Sequence, residues 1–175
     1  MKKYILIVDD EKDIRLTLSK ILSSKGFSVS IASNSDAAIN EIKNTSIDLV
    51  LLDVWLEGSK KNGLELLKIM RNYNPDTPVI LISGHANIDI AVKAIKEGAF
   101  YFIEKPFKSE KLFLIIDRAL ENAFLKKKYE IYKENLENDE EFIGNTVLIN
   151  NLKKKNQSNS KYQCTSFNYR RIWYW

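Results

Sequence analysis

One cysteine, Cys164, and one histidine, His85, are all that this 175-residue chain has of either type. A single thiol excludes an internal disulfide framework. A lone histidine, with no metal partners at the usual spacing, reads as a loop residue rather than a ligand. No uninterrupted apolar stretch approaches the roughly 18 residues that a membrane span needs. Met1-Lys2-Lys3 leads into an apolar run of about five residues, too short for a signal-peptide core. The chain therefore reads as cytoplasmic, with no membrane partner. It also lacks a G-x-x-x-x-G-K-[ST] phosphate loop and a helix-turn-helix pattern.

Acidic residues are absent after Glu141, and this decides what the net charge of +4 means. From Lys126 onward there are ten Lys/Arg against six Asp/Glu, so the whole excess lies there and the first 125 residues are neutral. The basic balance is no argument that those residues bind nucleic acid. A hydrophobic content of 45% is ordinary for a globular chain able to bury a full core.

What the sequence does have is a set of short apolar runs that stop on polar residues. Ile47-Asp48-Leu49-Val50-Leu51-Leu52 ends on Asp53, and Tyr4-Ile5-Leu6-Ile7-Val8 ends on Asp9-Asp10. Val79-Ile80-Leu81-Ile82 ends on Ser83-Gly84-His85, and the run 99–103 ends on Glu104-Lys105-Pro106. Apolar runs without alternation suit strands covered on both faces. Between them lie amphipathic stretches: one from near Lys12 with Ile14, Leu18, Ile21 and Leu22 on one face and Gly26 at its end; one opened by Ser35 as N-cap, with Ala38, Ile39 and Ile42 inward. A third covers 64–71 with Leu64, Leu67 and Met70. A fourth starts at Ala86 or Asn87 and carries Ile88, Ala91, Val92 and Ile95 to a stop at Gly98. A fifth runs from about Ser109. Strands at 3–8, Ser28–Ala32, the Asp53 run, the Ser83 run and 99–103 alternate with these helices. The pattern predicts an α/β fold: a doubly wound, five-stranded parallel sheet in flavodoxin-like order.

In such a sheet ligands bind beyond the carboxyl ends of the strands, so Asp9, Asp10, Asp53, Ser83 and Lys105 are expected on one rim. Clustered carboxylates bind a hard cation through oxygen, and magnesium keeps open positions for a phosphoryl group. Taken singly, each feature has a plainer reading: Asp9-Asp10 as a helix cap, Asp53 and Ser83 as turn residues, Lys105 as a solvated surface lysine. Together they favour a magnesium site beside an aspartyl nucleophile. A cis bond at Pro106 would turn Lys105 toward the rim.

The Asp-Asp pair, Asp53, Ser83 and Lys105-Pro106 resemble the receiver domain of two-component response regulators over residues 1 to about 122. Asp53-Val54-Trp55-Leu56-Glu57-Gly58-Ser59 and Ser83-Gly84-His85-Ala86-Asn87-Ile88 resemble the NtrC/NtrX group. The resemblance implies Asp53 as phosphoacceptor from a sensor histidine kinase (NtrY-like), and Mg2+ held by Asp10, Asp53 and the backbone carbonyl of Trp55, with Asp9 nearby. It implies that Lys105 and Ser83 grip the phosphoryl oxygens, that Phe102 is the aromatic switch, and that the chain is a switch rather than an enzyme, with slow autodephosphorylation behind the bulk of Trp55. Full-length relatives regulate transcription with sigma-54 RNA polymerase, through DNA-binding domains not found in this sequence. Homodimerisation is expected through helix four to strand five or through the linker.

Domain boundaries follow: receiver 1–122, helical linker 123–140, and 141–175 as a remnant of an AAA+ domain start, Glu141-Phe142-Ile143-Gly144-Asn145, with a disordered tail. Trp173 and Trp175 require TGG codons. Read one nucleotide later with permitted codons, 167–175 becomes Leu-Ile-Thr-Gly-Gly-Ser-Gly-Thr-Gly, the approach to a phosphate loop, so the expectation for the tail is a frameshifted, truncated regulator, with a decoy without function as the alternative. Two other activities fit the residues less well. A magnesium-dependent phosphohydrolase with an aspartyl nucleophile places an acid/base Asp two residues on, where this chain has Trp55. A nucleotide binder needs a phosphate loop where Asp9-Asp10 stand. The basic and aromatic tail residues offer single-strand binding as a further alternative.

Overall fold

The computed structural model describes residues 2–84 and 88–139, the last six by backbone alone. Expectations for His85, for the start of helix four at Ala86 or Asn87, and for residues 140–175 lie outside the described residues. Ten elements alternate: β1 (Tyr4–Val8), α1 (Lys12–Ser24), β2 (Ser28–Ala32), α2 (Ser35–Asn44), β3 (Leu49–Asp53), α3 (Gly63–Tyr73), β4 (Val79–Ser83), α4 (Ile88–Lys96), β5 (Tyr101–Glu104) and α5 (Ser109–Asp139). The strands form one parallel sheet in the order β2-β1-β3-β4-β5, the expected doubly wound topology. A compact unit spans Met1–Tyr129; a second, Glu130–Trp175, begins within the continuation of α5.

Strand alternation splits each apolar run between two cores. Ile5, Ile7, Leu49, Leu51, Ile80, Ile82 and Ile103 face Leu18 and Leu22 of α1 and Leu112, Ile116 and Ala119 of α5. Leu6, Val8, Val50, Leu52, Val79 and Leu81 face Ala38, Leu66, Leu67, Met70 and Ala94 on the other side. Both faces are covered, so β1, β3 and β4 need no polar residue until they leave the sheet. Each fully buried Leu or Ile contributes about 2 kcal/mol from water exclusion.

Four local expectations are corrected. The N-cap of α2 is Asn34, whose Oδ1 accepts from the Ala37 N–H at 2.9 Å, while Ser35 is the first helical residue. Helix α3 starts at Gly63 because Asn62 and Glu65 form a reciprocal capping box, and it continues to Tyr73. Strand β5 begins at Tyr101, two residues later than expected: Gly98, at φ +94°, ends α4, and the Ala99 N–H turns back to the Ala94 carbonyl. Helix α4 docks through Ile90 and Ala94, one turn apart, which leaves Ile88, Val92 and Ile95 exposed.

Candidate functional site

The register of the sheet brings distant residues together at its carboxyl edge. Val8 pairs with Leu52, so Asp9 and Asp53 leave adjacent strands at the same level. Asp53 pairs with Ile82 and Ser83 with Glu104, so Ser83 and Lys105 follow on the same rim. Backbone bonds lock these ends: Val54 N–H to the Ile82 carbonyl at 3.0 Å, and Lys105 N–H to the Ser83 carbonyl at 2.8 Å. The Lys105–Pro106 peptide bond is cis, and Lys105 faces the rim.

The Lys105 Nζ donates to Asp53 Oδ2 at 2.6 Å and to Asp9 Oδ2 at 2.9 Å, with Glu11 Oε1 at 3.9 Å. Both aspartates are buried, at 2% and 5% exposure, so the ammonium is the charge that makes their burial tolerable. Burial by itself favours loss of the Lys105 proton, but hydrogen bonds to Asp53 and Asp9 outweigh it and hold its pKa above the ordinary lysine value. For Asp9 burial wins: its pKa stands above the ordinary carboxylate value, although Lys105 and the Glu11 N–H pull it back. Asp53 Oδ1 accepts from the Trp55 N–H at 3.0 Å, and Asp9 Oδ1 from the Glu11 N–H at 2.8 Å, which fixes both carboxylates against their own loops.

Asp9, Asp10 and Asp53 each bring one oxygen within 4.8 Å of the others. Asp10 and Asp53 border a cleft of about 660 Å³, also lined by Glu11, Trp55 and Lys105. An all-oxygen donor set with a cation, the Lys105 ammonium, already drawn into it fits Mg2+ chemically. Ser83 is fully buried and, by strand alternation, shares its face of the sheet with Leu81 and Phe102, which is half-buried against the α2–α4 side core.

Sequence reasoning missed two supports. Arg15, on α1, donates to the Asp9 carbonyl and steadies the β1–α1 loop. Gly63 lies so close to the end of β3 that an added Cβ would stand 2.1 Å from the Asp53 carbonyl oxygen. The Asn62-x-x-Glu65 spacing marks a helix start next to Gly63, but nothing local reveals that it abuts Asp53.

The chain matches the response regulator receiver domain over residues 5–117. It is 44% identical over 153 residues to the nitrogen assimilation regulatory protein NtrX of Azorhizobium caulinodans, covering 87% of this chain and 34% of that protein. The chain thus spans about a third of the length of the curated relatives it matches first. The crystal structure of the NtrX receiver domain from Brucella abortus superposes with a TM-score of 0.65 at 49% identity, covering 67% of this chain and 98% of that one. The solution structure of the beryllofluoride-activated NtrC4 receiver domain dimer gives 0.65 at 38% identity, over 69% and 98% of the two chains. With its sheet order, its acidic rim and these likenesses in agreement, the chain belongs to the response regulator receiver family of two-component signalling, in the NtrC/NtrX group.

Proposed function

We propose that Asp53 accepts a phosphoryl group from a phosphohistidine on a sensor histidine kinase of the NtrY-like kind. The observation that carries this reading is the Lys105 ammonium held between Asp53 and Asp9 at the mouth of an open acidic cleft. A bond forms between an Asp53 carboxylate oxygen and phosphorus while the P–N bond to the kinase histidine breaks; later attack by water returns Asp53 and inorganic phosphate. Asp10, Asp53 and the Trp55 carbonyl would hold Mg2+, with Asp9 beside them. When bound, the metal supplies positive charge that offsets the carboxylates and the arriving phosphoryl group. Lys105, already donating to Asp53, is placed to pair with a phosphoryl oxygen, and the Ser83 hydroxyl to donate to another.

The new charge and acceptors bias a two-state element. Ser83 drawn toward the phosphoryl group makes room for Phe102, on the same sheet face, to turn inward and reshape α4 and β5. Ile88, Val92, Ile95 and Tyr101 are exposed on those elements. That apolar face supports pairing of two copies; the beryllofluoride-activated NtrC4 receiver domain is itself a dimer. The reading is of a cytoplasmic phosphoacceptor switch rather than an enzyme. Residues 1–122 form the receiver and 123–140 a helical linker; sigma-54-dependent transcription would need the domains that follow the receiver in full-length relatives.

The test is incubation with acetyl phosphate and Mg2+, read by intact mass. The natural chain gains one phosphoryl group; Asp53→Asn gains none. Equal labelling of both would exclude Asp53 as the acceptor.

A further inference from the structure

Between Asp53 and α3 the chain makes an excursion, residues 54–62, that carries Trp55 at the rim of the cleft. Its ends are held by backbone bonds: Val54 N–H to Ile82 on one side, and Gly63 N–H to the Val54 carbonyl at 2.9 Å on the other. Leu56, at 7% exposure, pins it from below. Trp55 itself is 51% exposed, so packing of its ring does little to fix where its carbonyl stands.

The apex of the excursion touches α2. The Ser59 Oγ accepts from the Ser35 N–H at 3.0 Å, and the Ser59 N–H donates to the Leu56 carbonyl at 3.2 Å. Ser35 is the first residue of α2 and 1% exposed, so its N–H has neither an intrahelical acceptor nor ready access to water. The loop hydroxyl satisfies it. A second link, Lys60 Nζ to Asp36 Oδ2 at 2.9 Å, joins the same two segments, but with side chains 79% and 56% exposed it contributes little.

We infer that Ser59 is a positioning residue for phosphoryl acceptance: by tying the loop apex to the start of α2, its hydroxyl sets the place of the Trp55 carbonyl beside Asp53. This rests on the reading of Asp53 and that carbonyl as a Mg2+ site. Ser59 lines the same cleft as Asp53, but its hydroxyl is committed to the Ser35 N–H and acts through the loop. Its hydroxyl is matched to a backbone N–H, so threonine keeps the acceptor and alanine removes it.

The experiment measures Mg2+ affinity by calorimetry, the rate of labelling by acetyl phosphate, and the urea midpoint, for Ser59→Ala, Ser59→Thr and Lys60→Ala. Ser59→Ala weakens Mg2+ binding by about fivefold, the equivalent of one ordinary hydrogen bond. Its labelling is slowed at low Mg2+ and recovers at saturating Mg2+. Ser59→Thr and Lys60→Ala stay within about twofold of the natural chain. Natural Mg2+ affinity in Ser59→Ala, whether or not its urea midpoint falls, overturns the proposal, as does an equal loss in Ser59→Thr. A natural chain that binds no Mg2+ and takes no phosphoryl group overturns the underlying reading as well.

Discussion

Lys105 and Asp53, 52 positions apart in the chain, meet with Nζ 2.6 Å from Oδ2, and the same ammonium reaches Asp9 at 2.9 Å. One cation thus serves two buried carboxylates, and it holds ground that a divalent ion would also favour.

Removing that cation has a predictable cost. Lys105→Met leaves two buried carboxylates without their counter-charge and lowers stability by about 3 kcal/mol in metal-free buffer, at the low end for breaking a buried pair. Millimolar Mg2+ restores part of the loss, because binding to the folded chain alone stabilises it. Urea unfolding with and without Mg2+ measures both; an identical loss in the two buffers would mean that ammonium and metal do not share the site.

Asp9 gives a pH dependence whose sign follows from its raised pKa. The folded chain holds the Asp9 proton more tightly than the unfolded chain does. Between the ordinary carboxylate pKa and the raised one, stability therefore falls as pH rises, and at neutral pH ionised Asp9 is a cost. Asp9→Asn is expected to be more stable than the natural chain at pH 7 without metal, with the gain vanishing in acid below the ordinary carboxylate value. Lys105 has the opposite window: its raised pKa contributes stability throughout the neutral range and loses it only in strong alkali. Denaturation at a series of pH values separates them, and a constant Asp9→Asn difference from pH 3 to 7 would contradict the assignment.

Gly63→Ala would drive a methyl group into the Asp53 carbonyl oxygen and the Val54 Cα, both backbone atoms that have no rotamer by which to give way. A loss of about 2–3 kcal/mol is expected, as for overpacking in a core, together with slower labelling of Asp53. Gly84→Ala, where an added Cβ meets nothing within 4 Å among the described residues, serves as the comparison and should stay within about 0.5 kcal/mol. Thermal melts of the two proteins decide the point.

Trp55 lines the cleft beside Asp53 and is half exposed, so its truncation should barely move stability. Trp55→Ala keeps the backbone N–H that donates to Asp53 Oδ1 but opens the approach for water. The phosphorylated variant is expected to lose its phosphoryl group several-fold faster, followed by intact mass over time. An unchanged half-life would show that the indole does not screen the site.

Much of this arrangement could be read along the chain, because it rests on short-range regularities. Apolar runs ending on Asp9, Asp53, Ser83 and Lys105 place four strand ends, and a parallel sheet in flavodoxin-like order puts those ends on one rim. Helical spacing gave α1 and its buried Leu18 and Leu22, whereas the Asn62–Glu65 capping box that starts α3 one residue earlier than expected went unread. Packing across the chain settled the rest. Asn34 rather than Ser35 caps α2, because Ser35 is drawn into the junction with Ser59. The apolar stripe of α4 points outward, because only Ile90 and Ala94 meet the sheet. Asp9, and not its neighbour Asp10, shares Lys105 with Asp53, since odd and even positions beyond a strand end face opposite ways. Gly63 shows its purpose only against the Asp53 carbonyl. Periodicity is a local property and survives in one dimension; which groups compete for one cation, or for one gap beside a strand, is set by distances that exist only once the sheet has closed.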